Sequence, residues 1–410
     1  MYRVAITGVG AISVLGTDIE SIADTLYHGR SGIVIDQERV EMGFRSPLAG
    51  KIVGFESKRY LNRKQRKTMP EYCIQAYAAV EQALNLAGLE PDDLKNPDTG
   101  IIFGNDSSSL AAIEQVDLVR KHNATSAIGS GFVFKSMTSN VTMNLNTILG
   151  TQGVCYSVSS ACSSGGHSVG QAADLIRFGR QNLVICGGAQ ELNWQCMCSF
   201  DALEAFSTRT YAPEMACRPF DRDRDGLVPS GGAAAIVLER YDLALARGAK
   251  ILGELKSYAF SSDGQSISVP SVDGISRAMK QALKLAEMSP NDVDYVCAHA
   301  TSTIAGDAAE ADNVSAVFAE CDVKPWVSSL KSMAGHELWM SGAAQIVYST
   351  IMAQKGFIAP NANFQNPDEH SKKLKLVVDT LDFAPKKVIC NSAGFGGTNS
   401  CLTLDFDPPR

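Results

Sequence analysis

No apolar run in the 410 residues reaches the roughly 20 needed to cross a bilayer. The opening MYRVAITGVG also lacks the basic-then-apolar build of a secretory leader. The expectation is a cytoplasmic protein with no membrane span. Positive charge is not in excess: the net charge is −7, which argues against general nucleic-acid binding. The composition, 45% hydrophobic and 20% charged, excludes a disordered chain. Eleven cysteines are an odd count scattered through apolar segments, so buried free thiols are expected. Cys196, Cys198 and Cys217 suggest zinc, but no second pair lies at ligand spacing and no metal is expected. Histidine is scarce, with six in the chain.

What is present centres on residues 154–166, VCYSVSSACSSGG. A short apolar strand, 154–158, leads into a tight run of small residues holding Cys162. The apolar spacing from His167 to Ile176 is that of a helix. A helix N-terminus offers unpaired N–H groups and partial positive charge, which favour a thiolate and an oxyanion beside it. Small neighbours let a substrate approach the sulfur. The pattern predicts that Cys162 is a nucleophile. GHSVG, residues 166–170, matches the elbow of serine hydrolases with Ser168 as nucleophile. That motif needs its serine on the turn directly after a strand, and Ser168 falls more than a turn into the helix.

A cysteine nucleophile needs a group that handles protons or developing charge. His28, His122 and His370 sit in polar, loop-like or helix-end contexts, and His167 lies within the helix after Cys162, where packing is expected. His299 follows an apolar strand, 295–298, and opens HATST. His336 lies in SSLKSMAGHELWMSGAA after a strand-like 326–328, with Lys331 on the same loop. Two neutral imidazoles donating N–H bonds to one oxygen would stabilise an enolate. Last comes NSAGFGGTNS, residues 391–400, between strands 387–389 and 401–404. Its glycines allow a tight loop whose N–H groups can point at a ligand. A plain β-turn is the other reading, although ten residues exceed what a hairpin needs.

The remaining organisation is repetitive. A first strand, 2–6, runs into TGVGAIS and a helix capped near Thr17 or Asp18. Gly8 and Gly10 begin a dinucleotide fingerprint, but Ser13 stands where the third glycine belongs, so a glycine turn is expected there. KRYLNRKQRK, residues 58–67, is the one dense basic cluster, either a solvated helix face or a landing site for an acidic partner. QALNLAGLEPDDL (82–94) and QALKLAEMSPNDV (281–293) are alike, and apolar strands with Ser/Thr-rich loops follow both. Two similar halves, 1–250 and 251–410, are expected. Alternating strands and helices point to α/β layers, with nearly all-apolar strands such as LVICGG and AAAIVL covered on both faces.

Taken together, SSACSSG at Cys162, RPFDRDRDG at 218–226, HATSTIAGD at His299, LKSMAGH at 330–336 and GFGGTN near the C-terminus resemble the β-ketoacyl-acyl-carrier-protein synthases. These are condensing enzymes of the thiolase superfamily, and the likeness is greatest to the elongating type I and II enzymes, over residues 1–405. It implies a thiolase-like fold of two similar halves in five αβαβα layers. It implies that Cys162 takes an acyl chain from acyl-carrier protein, and that malonyl-carrier protein then loses CO₂. His299 and His336 would donate to the enolate oxygen, and the N–H groups of Cys162 and Phe395 would hold the tetrahedral oxyanion. Phe395 would also gate the acyl tunnel. Lys331 would fix the second histidine's loop, with Glu310, and Asp307 would be structural. Thr301 and Thr303 match residues that bind the phosphopantetheine arm, while Asp106, Met137 and Phe200 match the acyl pocket. Arg63, Lys64 and Lys67 align with the carrier-protein patch, which turns the basic cluster toward docking. No permanently bound cofactor is implied, and members are usually homodimers with acyl pockets abutting the interface, a heterodimer being the variant.

The chain also departs from that pattern. Ala300 replaces a glycine, Ala393 a phenylalanine and Ser199 an acid, and Asp106 stands where a small or apolar residue is usual. Trp339 and Met340 stand where small residues follow the second histidine. An altered acyl pocket is expected, taking a short, polar, unsaturated or aryl-primed chain. The other readings are a specialised polyene or polyketide ketosynthase, a non-catalytic ketosynthase-like subunit, and a hydrolase using Ser168.

Overall fold

A computed structural model describes residues 1–408. Its main sheet has eleven strands: β1 (Val4–Ile12), β2 (Thr99–Gly104), β3 (Cys155–Val158), β4 (Leu183–Gln190), β5 (Gly232–Arg240), β6 (Gly253–Ser262), β7 (Tyr295–Cys297), β8 (Trp326–Ser328), β9 (Lys375–Leu376), β10 (Lys387–Gly394) and β11 (Thr398–Asp405). The helices that matter below are α1 (Glu71–Ala87), α2 (Ser164–Arg177), α3 (Trp194–Ala202), α4 (Gly274–Ala286), α5 (Ile304–Val317) and α6 (Ser341–Lys355).

The strand order is β9-β8-β7-β10-β11-β6-β1-β5-β4-β2-β3. Outward from the central β1–β6 pair, each half runs through two antiparallel and then two parallel neighbours: β1-β5-β4-β2-β3 and β6-β11-β10-β7-β8. The seam is short, Ala5 facing Glu254 and Ile6 facing Gly253. The sequence repeat lies at equivalent places in the two halves. α1 ends at Gly88 (φ 65°) and α4 at Glu287 (φ 55°), both left-handed, and each is followed by a proline-led 3₁₀ turn and the strand, β2 or β7. α1 covers the outer face of the first half-sheet, and α4 with α5 that of the second. α2 and α6 pack against each other between the two half-sheets, in the largest apolar core. The result is the five-layered αβαβα order, and β4 is buried along its whole length as its apolar run requires.

One expectation needs correction, and one open reading is decided. Gly8 and Gly10 do not form a turn; β1 runs straight through them to Ile12, with an irregularity between Ile6 and Gly8. They are glycine because α1 lies directly on the strand. A Cβ at Gly8 would stand 2.0 Å from the Ala83 carbonyl oxygen, and one at Gly10 2.2 Å from that of Ala79. NSAGFGGTNS, left open between a tight loop and a plain turn, is a hairpin with a short turn. β10 and β11 pair up to Gly394–Thr398, leaving a three-residue turn whose Gly396 and Gly397 have φ of 81° and 73°. Asp18, in contrast, caps the first helix as expected.

Candidate active site

Cys162 sits on the sharp turn between β3 and α2, in a short 3₁₀ segment before the helix. Ala161 just before it has φ 44°, a left-handed conformation that costs a residue with a Cβ about 1 kcal/mol or more. The serines of the motif hold this elbow. Ser163 Oγ donates to the Ser160 carbonyl (2.7 Å), Ser164 Oγ to that of Ala161 (2.6 Å), and the Ser160 N–H to Ser164 Oγ (2.8 Å). Gly394 passes close by: a Cβ there would stand 3.1 Å from the Cys162 nitrogen. The 394–397 turn therefore lies against the start of α2. Ser168 is fully buried, its hydroxyl donating to the Gly165 and Gly187 carbonyls, so it has no access to a substrate.

Cys162, His299, His336 and Phe395 line one cavity of about 350 Å³, joined by Thr301, Thr303, Phe200 and Ala393. The two imidazoles meet edge to face, with centroids 5.3 Å apart and planes at 85°. His336 is fixed by a backbone bridge: its N–H donates to the Val228 carbonyl (2.7 Å), and its carbonyl accepts from Ser230 (2.9 Å). The Leu338 N–H donates to His336 Nδ1 at 3.3 Å, and Ser341 Oγ is 3.1 Å from the same atom. Nδ1 is thus the acceptor, which leaves the proton on Nε2. His299 is placed by Glu310, whose carboxylate accepts the N–H groups of His299 (2.9 Å) and Ala300 (2.6 Å) and the Asn391 amide (3.3 Å). Lys331, expected to act together with Glu310, bears on this carboxylate through space.

The electrostatics follow from burial. Desolvation, with the charge of buried Lys331 added, holds both histidines well below the usual imidazole value, so both are neutral. Burial also pushes the Cys162 thiol up to about 12, against the opposing pull of Lys331. The expected resting thiolate is therefore corrected to a thiol. His167 is a packing residue: Nδ1 lies 2.6 Å from the Tyr258 hydroxyl and Nε2 2.9 Å from Thr398 Oγ1.

Asp307 braces the HATST loop. It accepts the N–H groups of Phe220 (2.8 Å) and Thr301 (2.9 Å), bonds Ser302, and lies 3.8 Å from Arg224. Burial pushes its carboxyl up to about 7. RPFDRDRDG, to which no role was given, supplies the other side of this brace. The Arg218 N–H donates to Ser302 Oγ (3.0 Å), and Arg224 bonds the Thr303 and Ile304 carbonyls and Asp368. Gln345 on α6 was also missed; its amide donates to the Ala298 carbonyl (2.8 Å) and accepts from Ser392 Oγ (3.1 Å). The signal for Gln345 was a polar residue inside an otherwise apolar stretch, and for 218–226 an alternating run of arginine and aspartate.

The pocket residues divide. Phe200 stacks on Phe395 (6.0 Å, 17°) and Phe206 (6.2 Å, 6°). Asp106 is half-buried, accepts the Ser159 hydroxyl and is not among the residues lining the cavity. Met137 is not brought to Cys162 within this chain; it is 43% exposed at the surface, short of the helix that packs on β3. Arg63, Lys64 and Lys67 are exposed on a one-turn helix with Arg66. A larger cavity, about 580 Å³, opens between the start of α1 and Gln190–Asn193 and shares none of the Cys162 site. No described helix is long and apolar enough to cross a membrane.

Residues 1–244 match the family model for the β-ketoacyl synthase N-terminal domain, and residues 252–365 that for the C-terminal domain. The chain is 40% identical over 405 residues to 3-oxoacyl-[acyl-carrier-protein] synthase 1 of Haemophilus influenzae, covering 98% of each. It is 38% identical to the Escherichia coli protein of that name, covering 98% and 99%. A crystal structure of a β-ketoacyl synthase from Burkholderia phymatum superposes with a TM-score of 0.93 at 32% identity, covering 99% of both chains. A ketosynthase bound to the hexaketide, in complex with its type II PKS acyl-carrier protein, superposes at 0.90 with 27% identity, covering 98% and 99%.

Proposed function

Because this chain belongs to the β-ketoacyl synthase family, we propose a role for each group around Cys162 in the reaction that membership brings. The protein is an acyltransferase-type condensing enzyme. It joins an acyl group to malonyl-acyl-carrier protein, with loss of CO₂, giving β-ketoacyl-acyl-carrier protein in fatty-acid-type elongation.

In our reading the Cys162 sulfur attacks the acyl thioester on the carrier's phosphopantetheine. A new C–S bond forms, the carrier thiol leaves, and the thiol proton of Cys162 passes to it. Malonyl-carrier protein then loses CO₂, and the electrons of the broken C–C bond become an enolate. His299 and His336, both neutral, donate N–H bonds to its oxygen, His336 through Nε2. The carbanion attacks the acyl-Cys162 carbon, a C–C bond forms, and the C–S bond breaks. One proton from solvent restores the thiol. The N–H groups of Cys162 and Phe395 hold the intermediate oxyanion, as the closeness of Gly394 to the Cys162 nitrogen supports. Since the electrons come from decarboxylation, the chemistry calls for no permanently bound cofactor.

Lys331 sets the field that keeps the histidines neutral, while Glu310 and Asp307 position the His299 loop. Thr301 and Thr303 receive the pantetheine arm at the cavity mouth, and Arg63, Lys64 and Lys67 receive the acidic carrier. The exposed edge strand β3 would be a liability uncovered. A second copy, or a related second subunit, would cover it and bring Met137 and Asp106 next to the interface. The setting is the cytoplasm.

The observation that carries this reading is the single cavity shared by Cys162, His299, His336 and Phe395. Incubation with acyl- and malonyl-carrier proteins, following CO₂ and product, tests it. Condensation is lost in Cys162→Ala and kept in Ser168→Ala; turnover surviving Cys162→Ala overturns the assignment. A specialised polyene or polyketide ketosynthase with the same chemistry is the second reading, supported by the structural likeness to the ketosynthase bound to a hexaketide.

A further inference from the structure

The space around Cys162 is open on one side and filled on the other. The open side is the cavity, bounded by Thr301, Thr303 and Phe395 among others. On the filled side Cys162 packs in an apolar cluster with Met197, Phe206 and Trp339. The Trp339 indole is 6% exposed, and its ring centroid lies 6.4 Å from that of Phe200. Its Nε1–H donates to Ser107 Oγ, 3.3 Å away on the segment leaving β2.

The Trp339 backbone cannot retreat. A Cβ at either Gly165 or Gly188 would stand 2.9 Å from its carbonyl oxygen, so α2 and β4 grip this turn through glycines. Its own N–H reaches Gln190 Oε1 at 3.4 Å. Only the side chain is free to move, and moving it breaks the Ser107 bond and the contact with Phe200 together.

Condensation must hold an acyl group on the sulfur and a malonyl thioester at the histidines at once, in about 350 Å³. The malonyl unit and its arm occupy the open side, so the acyl chain is directed to the filled one. Resting on the ketosynthase reading, we infer that Trp339 is a plug that closes the acyl side of Cys162. The enzyme therefore takes short acyl groups and discriminates against long saturated ones. The step affected is acyl transfer, because a long chain finds no volume behind the sulfur.

The test presents acetyl-, butyryl-, octanoyl- and dodecanoyl-carrier protein, without malonyl, to wild type, Trp339→Ala and Ser107→Ala. Acylation of Cys162 is read by peptide mass spectrometry. The wild type is acylated by butyryl at least about tenfold faster than by dodecanoyl, a discrimination within reach of a hydrophobic pocket. Trp339→Ala raises the dodecanoyl-to-acetyl ratio by about tenfold or more, and Ser107→Ala moves it the same way by less. Equal acylation by all lengths in the wild type overturns the plug alone. So does an unchanged profile in a folded Trp339→Ala. If that variant does not fold, the wild-type profile and Ser107→Ala decide. Absence of acylation at every length overturns the ketosynthase reading as well.

Discussion

The imidazoles of His299 and His336 meet edge to face at 5.3 Å, with the charge of Lys331 acting on both. Protonating either would place a second cation beside Lys331 in a buried site. Both therefore stay neutral until the pH falls well below the usual imidazole value. The expected outcome is a malonyl decarboxylation rate that is flat from pH 8 down through pH 6 and declines only in stronger acid. CO₂ release measured across that range checks it, and a rate halving near pH 6.5 contradicts it. His336→Ala, which removes one donor, lowers the rate by about 10²–10³.

Cys162 behaves oppositely. Its thiol, raised to about 12 by burial, has a thiolate fraction that grows with every step of pH. Alkylation by iodoacetamide rises about tenfold per pH unit through pH 10. Cys155 and Cys198 are exposed, so the measurement is resolved by peptide. A plateau reached by pH 7 would reveal a thiolate instead. Lys331→Met removes a nearby cation, and so slows alkylation at fixed pH while letting both histidines titrate higher.

Asp307→Ala strips the acceptor from Phe220, Thr301 and Ser302 and leaves buried Arg224 with Asp368 alone. The loss is about 3–5 kcal/mol of stability, because buried N–H donors are left unpaired at roughly 1–3 kcal/mol each while Arg224 keeps Asp368. It appears as a lowered urea midpoint. Asp307→Asn, which keeps an acceptor oxygen, loses less. Equal midpoints for wild type and Asp307→Ala would remove the brace from the account.

Charge reversal at Arg63 and Lys67 tests the docking surface. The double variant to Glu raises KM for malonyl-carrier protein about tenfold and weakens its salt dependence. Turnover of a small malonyl-pantetheine thioester, which carries no acidic partner, is unchanged. A parallel rise in KM for both substrates would place the effect elsewhere.

Residues at strand ends were the most legible part of the sequence. Cys162, His299, His336 and Phe395 each follow an apolar run, and the chain brings all four to one cavity. The repeat was legible because α1 and α4 keep the same turn chemistry after their last helical residue. What stayed hidden depends on partners distant in sequence. Gly8 and Gly10 suggested a local turn, but their reason is α1, some 70 residues away. The left-handed Ala161, the Leu338 N–H on His336 and the three donors on Glu310 have no periodic or compositional signature. The thiol was misjudged because a helix start suggests stabilised charge, whereas burial outweighs it.

α2 and α6, which follow Cys162 and His336 respectively, touch at Gly166 and Gly342, where a Cβ on Gly342 would stand 2.4 Å from the Gly166 nitrogen. With backbone against backbone, the spacing between nucleophile and donors has no adjustable part. Evolution can retune this protein only through side chains that line the site's walls. Divergence among such enzymes should therefore be read in positions like Trp339 and Phe200, while the geometry of bond formation is inherited unaltered.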